Sequence, residues 1–268
     1  MYCNSKIVVF DLDETLGYFV ELGMLWDAIK ECINNSKLHI KINQELFNTV
    51  LDLYPEFLRP KIIDILSYLK SKKQKNDCTK IMIYTNNQGP YDWAKLIMKY
   101  FESKLNYNLF DQLIGAYKVN GKRVELCRTT NEKTYKDLIK CTKIPEDTEI
   151  CFLDDIYHPK MKNDKIYYIN VKPYKYDLEF NLMIDRLLDC ADIGIPTSCR
   201  DQIMSMLHTF RYNHVGKTPK AIKIDQILSK KIMQHLQIFF KKQIQNPPPK
   251  GTKRNIKLKK NKTIKKVY

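Results

Sequence analysis

Ile7-Val8-Val9-Phe10-Asp11-Leu12-Asp13-Glu14-Thr15-Leu16-Gly17 sets the architecture. It is a short apolar run, rich in β-branched residues, that stops abruptly on acids. Three further runs have the same character: Ile81-Met82-Ile83-Tyr84, Ile150-Cys151-Phe152-Leu153 and Ile166-Tyr167-Tyr168-Ile169. Continuous apolar runs of this length suit strands buried on both faces, as in a mostly parallel sheet. Helical stripes lie between them. Ile62, Ile65, Leu66 and Leu69 follow Pro60; Trp93, Leu96, Ile97 and Tyr100 form a second stripe; Tyr135, Leu138, Ile139 and Thr142 form a third. Strand–helix–strand order predicts an α/β, doubly wound parallel sheet.

Residues 18–58 interrupt this rhythm with two helical segments, around Met24–Ile33 and Gln44–Tyr54. They read as a small helical insertion standing over the C-terminal edge of the sheet. The expected organisation is a domain over residues 1–192 carrying that insertion, a helical extension over 193–246, and a basic, disordered tail over 247–268. The extension shows helical stripes at Ile203, Met206, Leu207 and Phe210, and again from Ile224 to Phe239. Pro247-Pro248-Pro249 stops any helix before the tail.

The net charge of +16 is unevenly placed. Residues 201–268 hold 17 Lys/Arg and 2 Asp/Glu, which leaves 29 basic and 28 acidic residues in 1–200. A uniformly basic domain of the histone or ribosomal kind is excluded. The segment 250–268 holds nine basic residues and no acid, which favours an acidic partner, a nucleic acid among them. Aromatics are nearly absent there, so contact would be with a phosphate backbone rather than stacked bases. No apolar run reaches the roughly 18 residues of a membrane span, and the run after the polar start is too short for a signal-peptide core. The eight cysteines form no CxxC pair and read as reduced, buried thiols of a cytoplasmic or nuclear protein, not a secreted one. Heavy Ile, Lys and Asn usage points to an AT-rich genome, such as that of a large DNA virus or a parasite.

The acids carry the chemistry. Ligands of open α/β sheets bind beyond the carboxyl ends of the strands. Asp11 and Asp13 follow the first run, and Asp154 and Asp155 follow the third. Of two aspartates at such an end, one can attack as a nucleophile while the other moves protons. Four carboxylates in one crevice repel, and a divalent cation is the usual relief; all-oxygen ligands favour Mg2+. The second run ends on Thr85-Asn86-Asn87-Gln88-Gly89, whose hydroxyl, amide and N–H groups suit phosphate oxygens.

DLDETLG resembles the DxDxT motif of the haloacid dehalogenase (HAD) superfamily of phosphotransferases. YTNN, a lysine before a helix, and LDD follow in the family's order, over about residues 5–175. The resemblance implies a HAD-like fold and Mg2+-dependent phosphomonoester hydrolysis. Asp11 would form an aspartyl-phosphate, Asp13 would act as acid and then base, and Thr85 would hold the phosphoryl group. Thr15 and Asn86 would bind substrate. Asp11, Asp154 and Asp155, with the backbone carbonyl of Asp13, would hold Mg2+. The third-motif lysine is Lys133, at the mouth of the crevice; Lys136, one turn on and off the apolar stripe, reads as a solvated position and stays open as the alternative.

Within the superfamily, DLDETL is similar to the FCP/SCP (NLI-interacting-factor) phosphatases, as are Leu58-Arg59-Pro60 and Lys136-Asp137-Leu138. These act on phosphoserine and phosphothreonine, so a phosphoprotein substrate is implied. Two departures stand against it: LDD replaces the usual LDN, and the insertion is helical where those enzymes carry a β element. TNNQG is one residue from the TNQxG of polynucleotide 3′-phosphatases, so a nucleic-acid 3′-phosphate is the runner-up. A non-catalytic phospho-binding scaffold is the third reading. Trp26 and Trp93 read as core, and His158 beside Pro159 as structural.

Overall fold

The computed structural model describes residues 5–145, 147–241 and 264–267. Six strands form its central sheet: β1 (Lys6–Phe10), β2 (Lys80–Tyr84), β3 (Gln112–Ile114), β6 (Glu149–Asp154), β7 (Ile166–Val171) and β8 (Ile264–Val267). All are parallel, in the order β3-β2-β1-β6-β7-β8. A separate hairpin pairs β4 (Lys118–Val119) with β5 (Lys122–Arg123). Its turn residues Asn120 and Gly121 both have positive φ, 50° and 76°, as a two-residue hairpin turn requires.

Alternation along the strands sorts the core into two layers. Val8, Phe10, Ile81, Ile83, Cys151, Leu153 and Ile169 face one side. There α1 (Val20–Asn35), α2 (Gln44–Asp52), α3 (Ile62–Gln74), α4 (Tyr91–Leu105), α6 (Phe180–Asp189), α7 (Arg200–Thr209) and α8 (Pro219–Lys241) pack. Ile7, Val9, Met82, Tyr84, Ile150 and Phe152 face the other, closed by α5 (Tyr135–Thr142). The α/β class and the parallel sheet agree with the sequence reading. The helices of the extension are not peripheral: Ile203 and Leu207 of α7, and Leu228, Ile232 and Leu236 of α8, share the larger core layer.

Chain order fixes where a ligand can enter. From β1 the sheet grows outward through β2 and β3, then resumes on the other side of β1 with β6 and β7. The strand order therefore reverses between β1 and β6, and a crevice opens at such a switch point. Phe10 is level with Ile83 and Leu153, so Asp11 leaves the sheet beside Asp154.

Two expectations are corrected. Composition predicts disorder throughout 247–268, yet Ile264–Val267 adds to the sheet as β8, with Tyr168 level with Ile264. The edge of β7 offers unpaired N–H and C=O groups, and a lysine-bearing strand suits an edge. The rest of that tail lies outside the described residues. Scattered spacing makes reduced cysteines the default and leaves pairing of a few in space open; Cys127 and Cys141 depart from that default and are bonded to each other. Neither lies in a CxxC; the fold brings them together across a 14-residue separation. Cys32, Cys78, Cys151, Cys190 and Cys199 are free, and all but Cys190 are buried. No helix among the described residues is long and apolar enough to cross a membrane.

Candidate active site

The loop after β1 is bent by its own sequence. Glu14 takes a positive φ of 57°, and the Glu14 N–H donates to the Gly17 carbonyl at 2.7 Å. A Cβ at Gly17 would lie 2.5 Å from the Phe57 carbonyl oxygen, so only glycine lets this turn close against the insertion. Arg59 then fastens it. Its buried guanidinium donates to the carbonyls of Thr15 (2.6 Å), Glu14 (2.5 Å) and Lys172 (2.9 Å). Burial lowers the Arg59 pKa to about 10, against the upward pull of Asp225 and Asp155, so the group stays charged near neutrality.

At the switch point Lys133 lies between two carboxylates. Its ammonium donates to Asp11 Oδ1 as an ion pair, and to Asp154 Oδ2 at 2.7 Å. All three side chains are almost wholly buried. Burial raises the Asp11 carboxyl well above its ordinary range, with Lys133 pulling the other way. Asp154 is also buried, but Lys133 and His158 outweigh that and hold it low. Its Oδ1 accepts the Ile156 N–H at 2.8 Å, and His158 Nε2 stands 3.4 Å from its Oδ2. Lys133 itself is held above its usual pKa, because Asp11 and Asp154 outweigh its burial. Lys136 is exposed on α5 and does not reach this group.

Asp155 completes the cluster. One oxygen each of Asp11, Asp154 and Asp155 lies within 4.8 Å of the others, a spacing that can hold a metal ion. Asp155 is pushed up to about 6 by burial and by its acidic neighbours Asp154 and Glu14. Among the described residues Lys133 is the one lysine or arginine in contact with the cluster, at Asp11 and Asp154, so the three carboxylates outnumber it. A hard divalent cation fits that imbalance and that all-oxygen donor set.

Asp13 stands apart from the three. Its Oδ2 accepts the Asn87 side-chain amide at 2.8 Å, and burial raises its pKa, the sense a proton donor needs. Thr85 is buried at the end of β2, and its Oγ1 accepts the Asn87 N–H at 3.0 Å. Two expected substrate contacts are differently engaged. Thr15 turns its hydroxyl to Asp155 Oδ1 at 3.3 Å, and Asn86 Oδ1 accepts from Arg128 Nη2 at 2.7 Å. Asn87, not Asn86, is the amide beside Asp13.

Arg128 went unread in the sequence. It is fully buried and stacks on the Tyr84 ring at 4.7 Å. Its guanidinium donates to the carbonyls of Thr85 (3.0 Å), Gly115 (2.8 Å) and Asn131 (3.1 Å), besides Asn86. One side chain so ties the loop bearing Thr85 to the loop bearing Lys133. Asp137 anchors the same loop by accepting the Thr129 N–H (3.0 Å) and hydroxyl (2.8 Å). An isolated arginine between Cys127 and Thr129 carries no signal of such a role.

A groove of about 560 Å3 opens from Asp13 and Asn87 toward the insertion, between α1 and the start of α4. Trp26 and Trp93, read from sequence as core, both line it. Each meets the Phe47 ring edge-on, at 5.2 and 5.6 Å.

No family model matches the chain, and no curated protein matches its sequence. Among solved structures, the chain is similar to a HAD-superfamily hydrolase, subfamily IA, variant 1, from Geobacter sulfurreducens PCA. The identity is 13%, with 69% of this chain and 100% of that one covered, at a TM-score of 0.35. A likeness that slight carries no argument about chemistry; the geometry of the carboxylates, Lys133 and Thr85 does.

Proposed function

We propose that this chain is a Mg2+-dependent phosphomonoesterase of the HAD type that works through an aspartyl-phosphate at Asp11. The observation that supports it is the meeting of Asp11, Asp154 and Asp155 beside the buried Lys133, which contacts the first two, at the sheet's switch point. Asp11 attacks phosphorus, and the bond to the leaving oxygen breaks. Asp13 delivers its proton to that oxygen. It then takes a proton from water, whose oxygen attacks phosphorus, freeing Asp11 and releasing inorganic phosphate. Lys133 offsets charge that grows on the phosphoryl oxygens, and Thr85 with the backbone N–H groups beside it orients them. Asp11, Asp154 and Asp155, with the Asp13 carbonyl, would hold Mg2+, which supplies further charge neutralisation at the phosphoryl group.

The substrate class we assign is phosphoserine or phosphothreonine in protein, as in the FCP/SCP group. The DLDETL motif and Leu58-Arg59-Pro60 support it. A nucleic-acid 3′-phosphate is the second reading, favoured by TNNQG and the basic tail. The test is turnover of p-nitrophenyl phosphate with Mg2+ and with EDTA, beside Asp11→Asn. The wild type should need the metal and the variant should be inactive. Equal turnover by Asp11→Asn would overturn the mechanism.

A further inference from the structure

We propose that the groove beside Asp13 is a leaving-group site that selects phosphopeptides bearing a basic and an aromatic residue next to the phosphorylated one. This rests on the phosphatase reading above for the orientation of the substrate, and on the groove itself for the selection. The groove is continuous with the site, because Asp13 and Asn87 belong to both. A leaving group protonated by Asp13 stands at the mouth of this groove; the cavity beside Thr85 and Asn87 is smaller, about 150 Å3. The groove's size falls in the range of sites that hold a drug-sized ligand or a few residues of peptide.

Two chemical features set what fits. The first is aromatic surface. Trp26 and Trp93 line the groove and both meet Phe47 edge-on; Trp26 is 4% exposed, so the half-buried Trp93 is the one that offers fixed indole surface, at little entropic cost. The second is charge. The charged lining residues are Asp13, Asp27, Asp92 and Lys30, and Lys30 is already paired with Asp27 at 2.7 Å. Asp13 is engaged by Asn87 and is the proton donor of the reaction, which leaves Asp92. Asp92 is exposed in the first turn of α4 and has no ion pair among the described residues. A cationic ligand meets a complementary field here, and can also stack on an indole face. A polynucleotide would bring further phosphates toward the Asp92 carboxylate and meet like charge.

The chain has two tryptophans, and both line the groove, so intrinsic fluorescence reads its occupancy without any turnover. The full chain, in EDTA, is titrated with three probes. They are a phosphoserine peptide with Lys and Phe neighbours, the same peptide with Glu for Lys, and a 3′-phosphorylated oligonucleotide. The basic peptide should shift the emission saturably and bind about tenfold or more tightly than the acidic one, with Asp92→Lys abolishing that ratio. Equal or tighter binding of the acidic peptide or the oligonucleotide, or emission that does not respond to the basic peptide, overturns the proposal. Hydrolysis with Mg2+ separates the two readings. Selective binding with no phosphate released from peptide or p-nitrophenyl phosphate sinks the phosphatase and leaves the groove. Turnover of p-nitrophenyl phosphate without peptide selection does the reverse.

Discussion

Lys133 is the residue on which the site's electrostatics turn. It is buried and contacts both Asp11 and Asp154, with Asp155 close by. Removing one partner of a buried ion pair leaves the other uncompensated and costs about 3–5 kcal/mol. Lys133→Met is therefore expected to lower the urea midpoint in EDTA, with part of the loss recovered on adding Mg2+. Its turnover of p-nitrophenyl phosphate should fall by about 10²–10³-fold, the scale of a lost charge-stabilising donor. A midpoint unchanged in EDTA would show that the carboxylates do not need this cation. Glu21 carries a second, separable electrostatic effect. It is fully buried on α1, and its Oε2 accepts the Leu178 N–H at 2.8 Å, while Oε1 has no hydrogen-bond partner among the described residues. Burial, with a contribution from Asp177 against the pull of that N–H, raises its pKa from 4.5 to about 8. Between those values the folded chain keeps the proton and the unfolded chain has lost it. The folded state thus binds more protons, and its stability falls as pH rises through the window. Tyr18, Asp177 and Tyr212 are the titratable groups around it. Glu21→Gln keeps an acceptor for Leu178 and removes the charge. Its urea midpoint should gain on the wild type between about pH 5 and about pH 8, by on the order of 1–3 kcal/mol. Parallel pH profiles for the two proteins would refute this.

Among the elements, two arginines fasten loops that the sheet alone leaves free. Arg59 holds the turn after β1 to the segment after β7, and Arg128 holds the end of β2 to the loop before α5. The Cys127–Cys141 bridge closes that same loop, which carries Lys133. A guanidinium does this with several donors in one plane; an ammonium reaches fewer acceptors and fixes no orientation. Arg128→Lys is expected to retain the fold and lower kcat for p-nitrophenyl phosphate by about tenfold or more, as misplacement of Thr85 and Lys133 would. Wild-type kcat in a folded Arg128→Lys chain would show that the clamp does not position the site. These clamps are illegible in the sequence because their acceptors are backbone carbonyls, which any residue supplies. β3 and the β4–β5 hairpin escape it for a different reason: strands of two or three residues are too short for periodicity to register. Asn120-Gly121 is the available signal for the hairpin.

For the whole molecule, the excess charge and the candidate site belong to different parts of the sequence: residues 201–268 hold 17 Lys/Arg and 2 Asp/Glu, and Asp11, Asp13, Lys133, Asp154 and Asp155 all lie before them. Deleting residues 247–268 removes nine basic residues and no acid. Elution from heparin should shift to lower salt, because fewer counterions are released on binding a polyanion, while p-nitrophenyl phosphate turnover should persist. β8 is lost with that deletion, but it lies at the sheet edge, beyond β7 from the switch point. Unchanged elution would remove the tail as the polyanion-binding segment. Local sequence accounts for the strand-forming runs, the main helical stripes, the helical insertion and the carboxylates at strand ends. Each of these comes from the period of apolar residues and the point where it stops. The folded chain settled the remainder. It put Lys133 rather than Lys136 against Asp11 and Asp154, Asn87 against Asp13, and Asn86 against Arg128. It set Trp26 and Trp93, which pack with the core as read, along the wall of a groove as well, and drew Cys127 to Cys141. The physical reason is the same in each case. Periodicity says which residues must leave water, whereas the partner each one meets depends on strand order and loop closure, which bring together residues far apart in the chain.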